Sequence, residues 1–518
     1  MHKPPVKTLG QLLERNAWWY PDRDALVMDG ERRSYADLYA RASMLASALE
    51  KTGLPRQARI GVISQNSIQH HEIFAASDIG AFITAPVSFR AAPPEMEWLI
   101  TDSGASVLFF QPEYADIVAG LRDRIPDVRL YVCIGDATSA PAPDWATDYE
   151  AFLATGDSDG PRWRSTPDDY STLFYTSGTT GRPKGVPHTH RGLITGARAS
   201  AIAEWISLLQ ISPPFHVGGR GFVVGTYWVG GKTTLHRSFD PTALLRDVEK
   251  ERVNHTFMVP AMVLALLDHP DIDKYDLSSL SHVMLASTAI PTEVLRRALA
   301  RFGPVFFVAY GSTESGGLCK LPPFETTLDG DEKALARLAS VGHFESDIDG
   351  VILDDDGNEV PVGTVGEVCV RNSHYFTGYW NNHKATIDAM HGNALRTGDL
   401  GYQDEQGYVF LVDRKKDMLI TGGENVYSRE VEEALDRHPA VRESAVIGVP
   451  DPKWGESVCA VIILEQDAVL TEAELIAFAQ TQLAKYKCPR EVHFVDDMPR
   501  QATNKTDKRA LRALYSAA

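Results

Sequence analysis

The chain has 518 residues, more than a single hydrophobic core supports, so at least two domains are expected. Hydrophobic residues make up 44% and charged residues 23%, the balance of an ordinary globular protein. The formal net charge of -18 argues against a nucleic-acid or anionic-membrane partner, either of which selects a basic face.

Five cysteines, Cys133, Cys319, Cys369, Cys459 and Cys488, stand far apart with no CxxC spacing. They speak against a disulfide framework or a zinc site and fit a reducing compartment. The N-terminal "MHKPPVKTLGQLLERNAWWYPDRDALV" lacks a continuous apolar core and a small-residue cleavage site, so no secretory signal is expected and the expected location is cytoplasmic.

Ser34 with Asp37 predicts a capped helix carrying Leu38, Ala42, Leu45 and Leu49 at helical spacing and ended by Gly53. Short apolar strands are expected at 59–64, 106–110, 130–135, 255–260, 282–287 and 305–310. Several precede a helical pattern, as in the crossover units of a largely parallel sheet. The most apolar later stretch, "GFVVGTYWVGG", is broken by glycines and too short to span a bilayer. Near residue 345 the pattern turns to short strands joined by Asp-Gly and Asn turns, predicting a β-rich subdomain over about 345–413. In the last hundred or so residues Thr471 and Glu474 form a capping box, with Leu470 and Leu475 as its hydrophobic staple. The expected class is α/β: a large N-terminal domain, 1–415, of mostly parallel sheets with helices plus that subdomain, and a small α+β C-terminal domain, 416–518.

The most chemically suggestive string is "YTSGTTGRPKGV", Tyr175 to Val186. The P-loop pattern fails here: counting from Gly178 the sixth position is Pro183, and Lys184 is followed by Gly185 rather than a hydroxyl residue. The GxGxxG spacing is also missing. The string still suits a triphosphate. Gly178 and Gly181 let backbone N–H groups approach phosphate oxygens, Thr176, Ser177, Thr179 and Thr180 add hydroxyl donors, and Lys184 adds a mobile charge. Ser/Thr/Gly runs also occur in plain loops.

The whole string resembles the phosphate-binding loop of the adenylate-forming superfamily, which comprises acyl-CoA synthetases, peptide-synthetase adenylation domains and luciferases. Further motifs of that superfamily follow in order. "YGSTES" (310–315) resembles its YGxTE motif, and the resemblance assigns Tyr310 to packing on the adenine, Gly311 to the nucleotide site, Thr313 to the α-phosphate and Glu314 to a magnesium ion. A hard Mg²⁺ prefers such oxygen ligands. "RTGDLGY" (396–402) resembles the TGD motif, whose aspartate, here Asp399, holds the ribose hydroxyls. "DRKKDMLITGGENVYSREVEE" (413–433) resembles the hinge and the loop that follows it: the resemblance implies that Arg414 reaches the ribose, Lys416 is the hinge, and Gly422, Gly423 and Glu424 line a thiol tunnel. "PRQATNKTDKRALR" (499–512) resembles the segment with the catalytic lysine, which maps to Lys505, although Asn504 replaces the usual glycine before it. Asn tolerates left-handed backbone better than most residues.

The resemblance spans nearly the whole chain. It implies an ATP-dependent carboxylic acid:CoA ligase that forms acyl-AMP and pyrophosphate, then acyl-CoA and AMP, with ATP, Mg²⁺ and coenzyme A and a small C-terminal domain that swings between the half-reactions. "PPFHVGGRGF" (213–222) resembles the acyl-pocket segment. Phe215 and Gly218 belong to that pocket, and His216 stands where amino-acid-activating relatives usually carry Asp, which disfavours a free amino acid. His216 either gates the acid site or is an ordinary hydrogen-bonded histidine. Arg220 either pairs with a polar group of the substrate or lies on the surface. Ser287 and Thr288 replace glycines of the family pattern and are expected to narrow the channel, favouring short-to-medium aliphatic or aryl acids. The alternative activity is the loading of an acyl-carrier protein's phosphopantetheine. Glu314, Asp399, Arg414 and Lys505 argue against a non-catalytic nucleotide sensor, and nothing signals a luciferase.

Overall fold

The predicted cap at Ser34 forms in full. In the computed structural model the Ser34 hydroxyl accepts the Asp37 N–H at 3.1 Å, and the Asp37 carboxylate accepts the Ser34 N–H at 3.4 Å. The helix Tyr35–Lys51 follows, with Leu38, Ala42, Leu45 and Leu49 buried, and Gly53 takes a left-handed φ of 81° just beyond it. The structure describes residues 6–135, 141–176, 182–200, 205–285, 292–328, 330–373, 375–501 and 505–515.

The chain divides into two compact units, Met1–Leu338 with Asn372–Met390, and Ala339–Arg371 with His391–Ala518. Two sheets build the first unit. One runs in the order Thr147–Asp148, Leu130–Cys133, Ala105–Phe110, Arg59–Ile63, Ile83–Val87, Tyr170–Thr176 and Lys184–Thr189, parallel except for the last pair. In the other, eight strands of this unit follow one another as Gly316–Leu321, Phe306–Ser312, His282–Leu285, His255–Met258, Ser207–Gln210, Lys232–Leu235, Asp24–Met28 and Glu31–Ser34. They too are parallel except for the terminal pairs. Strands such as Ile83–Val87 are buried throughout, as expected where crossover helices cover both faces.

Apart from the half-buried Gln69, the helix Ile68–Gly80 is buried at every residue although it carries His70, His71, Glu72, Ser77 and Asp78. Such groups need partners. Glu72 accepts from Arg41 Nε at 2.6 Å, Arg33 Nε at 3.2 Å and the Tyr149 hydroxyl at 2.7 Å. One oxygen of Asp78 pairs with Arg220, and the other accepts the Ser171 hydroxyl at 2.6 Å. This corrects both sequence expectations for Arg220. It is 1% exposed, its guanidinium lies 4.4 Å from the Phe74 ring centroid, and its charge is matched by the protein's own carboxylate.

"GFVVGTYW" lies in the helix Val217–Trp228, and among the described residues no helix is long and apolar enough to cross a membrane. All five cysteines are free and buried.

The second unit contains an antiparallel meander, Asp349–Leu353, Gly366–Arg371, Ala394–Gln403 and Val409–Arg414. The β-rich expectation therefore holds for these strands but not for the whole of 345–413, because 372–390 packs with the first unit: Trp380 N–H donates to Gly185 C=O at 2.8 Å and its indole N–H to Asp102 C=O at 3.2 Å. A long hairpin, Val441–Asp451 with Gly455–Leu464, follows. Val446, Val458 and Ala460 pack under the helices Ser428–Leu435 and Glu472–Gln482, and Ala445, Ile447 and Cys459 under Lys508–Tyr515. The period of two thus buries both faces. The Thr471–Glu474 capping box is present, and Leu470 packs against the cluster containing Leu475.

Asp78→Asn leaves Arg220 buried without a counter-charge. It is expected to lower the stability of the first unit by about 3–5 kcal/mol, measured as a fall in its urea midpoint. Replacing both partners, Asp78→Leu with Arg220→Met, should recover most of that loss, because the cost comes from the unpaired charge. A wild-type midpoint for Asp78→Asn would show that the pair does not hold the unit.

Candidate active site

The suggestive loop joins the antiparallel strands Tyr170–Thr176 and Lys184–Thr189, with Thr176 opposite Lys184 at its mouth. Ser177, Gly178, Thr179, Thr180 and Gly181 lie outside the described residues. The strand Lys184–Thr189 accounts for the β-branched and proline residues after the loop, which suit a strand better than a helix.

A second hairpin presents Thr313 and Glu314. Its strands, Phe306–Ser312 and Gly316–Leu321, are closed by Ser312 N–H to Ser315 Oγ at 3.0 Å and Ser315 N–H to Ser312 Oγ at 3.1 Å. Gly311 is required here, since a Cβ would come within 2.0 Å of the Gly316 carbonyl oxygen. The two hairpins meet at Glu314. Its Oε1 accepts the Thr176 hydroxyl at 3.2 Å and the Tyr379 hydroxyl at 3.0 Å. Lys184 places its ammonium 4.7 Å from the Tyr379 ring centroid. Burial, then the Glu314 carboxylate, pushes the Tyr379 phenol well up, so it stays a donor.

His188 braces the tip. Its Nε2 lies 2.8 Å from the Thr313 carbonyl oxygen, which only accepts, so that nitrogen carries the proton. Burial pulls the imidazole down to about 4, with the Thr313 carbonyl opposing. Sequence reasoning found neither His188 nor Tyr379. The aromatic run "YFTGYW" inside a turn-rich segment was the available signal for Tyr379. Tyr310 is half-buried at the end of its strand.

Among the residues expected to line an acid pocket, Phe215 is buried with its ring edge-on to Phe89 at 5.2 Å, and the His216 ring lies 4.4 Å from it. His216 directly precedes the helix Val217–Trp228 in an extended conformation. A Cβ at Gly218 would meet only Phe222, at 3.5 Å. Ser287 and Thr288 lie outside the described residues.

The second unit gathers the remaining charged residues. Asp399 and Arg414 face each other across the meander, with Arg414 Nε 2.6 Å from Asp399 Oδ1. Glu367 supports this turn: its carboxylate accepts Gly398 N–H at 3.1 Å, pairs with Arg396 at 2.7 Å and reaches Lys415 at 3.1 Å. Lys505 lies in the same electrostatic neighbourhood. Its ammonium is held below the usual lysine range by the protein crowded around it and by Arg414 and Lys416, with Asp399 opposing. Asn504 lies outside the described residues. Gly422 and Gly423, with φ of 61° and 87°, form the two-residue turn between Leu419–Thr421 and Glu424–Val426, which itself requires glycine-like conformations. Glu424 is exposed.

Residues 13–380 match the AMP-binding enzyme family and residues 430–505 the AMP-binding enzyme C-terminal domain. The chain belongs to this family of adenylate-forming enzymes, which act on a carboxylic acid. It is 35% identical over 513 residues to a feruloyl-CoA synthase of Amycolatopsis sp, covering 98% of this chain and 99% of that protein. It is 33% identical over 515 residues to an indoleacetate–CoA ligase of Aromatoleum aromaticum, covering 98% of each. Among solved structures, the amide bond synthetase McbA of Marinactinospora thermotolerans superposes with a TM-score of 0.87 at 30% identity, over 98% of this chain and 99% of that one.

His188 gives the site an acid limit. Its pKa of about 4 in the folded chain lies below the 6.5 of a free histidine, so the unfolded chain binds more protons between these values. Stability therefore falls as pH drops through that window, by at most about 1.4 kcal/mol per pH unit for one proton. His188→Gln should flatten the pH dependence of the urea midpoint there. An unchanged slope would assign the acid sensitivity to the other histidines that burial depresses, among them His71 and His255, held at about 3.

Proposed function

We propose that the chain is an AMP-forming acid–thiol ligase that activates a hydrophobic aliphatic or aryl acid with ATP and transfers the acyl group to coenzyme A. The observation that carries this reading is the Glu314 carboxylate, fixed by Thr176 and Tyr379 beside Lys184 at the mouth of the loop. Two of the relatives described above are ligases of aromatic acids with CoA, which supports the acceptor and the acid class.

In the first half-reaction the acid's carboxylate attacks the α-phosphorus of ATP and pyrophosphate leaves. Both reactants are anions and the carboxylate is a weak nucleophile, so the protein must supply positive charge and alignment rather than a base. In this reading loop 176–184 holds the outer phosphates through hydroxyls, backbone N–H groups and the Lys184 ammonium. Thr313 donates to the α-phosphate, Tyr310 packs on the adenine, and Asp399 and Arg414 hold the ribose. Lys505 bridges the carboxylate and the α-phosphate. Glu314 fits a Mg²⁺ ion, because it offers carboxylate oxygen and both its hydrogen bonds come from neutral hydroxyls on Oε1. A bound Mg²⁺ would offset phosphate charge.

In the second half-reaction a thiol attacks the acyl carbonyl and AMP leaves. Lys416 serves as the hinge between 1–415 and 416–518, and Gly422, Gly423 and Glu424 line the path of the thiol. Phe215, His216, Gly218, Ser287 and Thr288 bound the acid pocket. Arg220 does not, because Asp78 neutralises it.

Lys505→Ala should lower acid-dependent pyrophosphate release by roughly 10²–10³-fold, as loss of one charge-stabilising donor does. Thioester formation from supplied acyl-AMP should be spared, and equal loss in both half-reactions would overturn the assignment. Among butyric, octanoic, palmitic and phenylacetic acids, pyrophosphate release should be fastest with the octanoic or aryl acid. Fastest turnover of palmitic acid would reject the narrowed channel. AMP formation with free CoA against that with an acyl-carrier protein separates the two thiol acceptors.

A further inference from the structure

The Lys505 loop is closed at its base by three side chains that the reaction described above does not use. Arg500 and Thr506 face each other as an antiparallel bridge, and Gln501 N–H donates to the Lys505 carbonyl at 2.8 Å. Glu443, on the strand Val441–Asp451, reaches both sides of this stem. Its Oε2 accepts from Arg500 Nη2 at 2.7 Å, and its Oε1 accepts the Thr506 hydroxyl at 3.1 Å. Arg500 Nη1 donates in turn to the Thr506 hydroxyl oxygen at 3.2 Å, completing a ring of three hydrogen bonds. Past the stem, Asp507 N–H donates to the Pro499 carbonyl at 2.8 Å. The Asp507 carboxylate accepts Arg509 and Ala510 N–H at 3.1 and 3.2 Å, which anchors the start of the helix Lys508–Tyr515.

A lysine side chain is flexible, so the protein can aim its ammonium only by fixing the backbone that carries it. The ring does this from both ends of 501–505, and the strand bearing Glu443 belongs to the long central hairpin of the second unit. We infer that Glu443, acting with Arg500 and Thr506, is a positioning residue for Lys505 in acyl-adenylate formation. This rests on the reading of Lys505 as the adenylation lysine. The side chains of Arg500 and Glu443 are 32% and 33% exposed, so their pairing adds little to global stability and its effect on rate can be read separately.

The test uses the full chain with Glu443→Gln, Thr506→Val and Lys505→Ala. For each, pyrophosphate release is followed for kcat and for KM of ATP and of the acid, alongside thioester formation from supplied acyl-AMP and the thermal midpoint. Glu443→Gln and Thr506→Val should each lower the adenylation kcat about tenfold, since misplacing a reacting group by ~1 Å costs up to ~10²-fold. KM values, thioester formation and midpoint should stay at wild-type values. Arg500→Lys, which keeps the charge but loses the two-pronged contact, should fall between wild type and Glu443→Gln. Wild-type adenylation in both Glu443→Gln and Thr506→Val, with Lys505→Ala inactive, would overturn the inference while leaving the role of Lys505 intact. Parallel loss of both half-reactions, or a loss that follows the midpoint, would reduce the ring to a structural role and also overturn it. Adenylation by Lys505→Ala at the wild-type rate would instead remove the underlying reading, and the inference with it.

Discussion

A carboxylate buried at Asp78 has to be neutralised, and the way this is done ties together a helix and a strand of the first unit. One oxygen pairs with Arg220 on the helix that begins just after His216. The other accepts Ser171, on the strand that ends at Thr176. That helix and the strand feeding the loop are therefore held by one buried charge, which tolerates little displacement of either without leaving an ion unpaired. One strand of the seven-stranded sheet and one helix thus share this carboxylate.

At the loop mouth the same logic operates with neutral groups. Thr176 and Tyr379 fix Glu314 through hydroxyls, so among the described residues the carboxylate is oriented without a protein cation cancelling its charge. His188 holds the hairpin tip by its backbone carbonyl and stays uncharged because it is buried. In a chain with a net charge of -18, Lys184 is accommodated against an aromatic face rather than in a salt bridge with Glu314.

The second unit relies on register. Antiparallel pairing sets Asp399 opposite Arg414, and a second hairpin covered by helices on both faces carries Glu443 toward the Lys505 loop. Lys505 thereby comes within electrostatic reach of Asp399, Arg414 and Lys416. The tight turn alone explains both Gly422 and Gly423.

Much of this was legible in the sequence. The caps at Ser34 and Thr471, the apolar strands and the ordered series of motifs rest on local backbone chemistry, hydrophobic period and spacing, all of which act over a few residues. They determined the α/β class and the family. Other features were decided only by the tertiary structure: the burial of Arg220, the bracing of Glu314 by Tyr379, the departure of 372–390 from the β-rich region, and the closure of the Lys505 loop by Glu443. Arg220 and Asp78 are 142 residues apart, and Glu443 and Arg500 are 57 apart. A residue's own charge and volume are written at its position, but the partner that neutralises that charge or excludes water from it is chosen by packing between distant segments. A local pattern cannot carry that information.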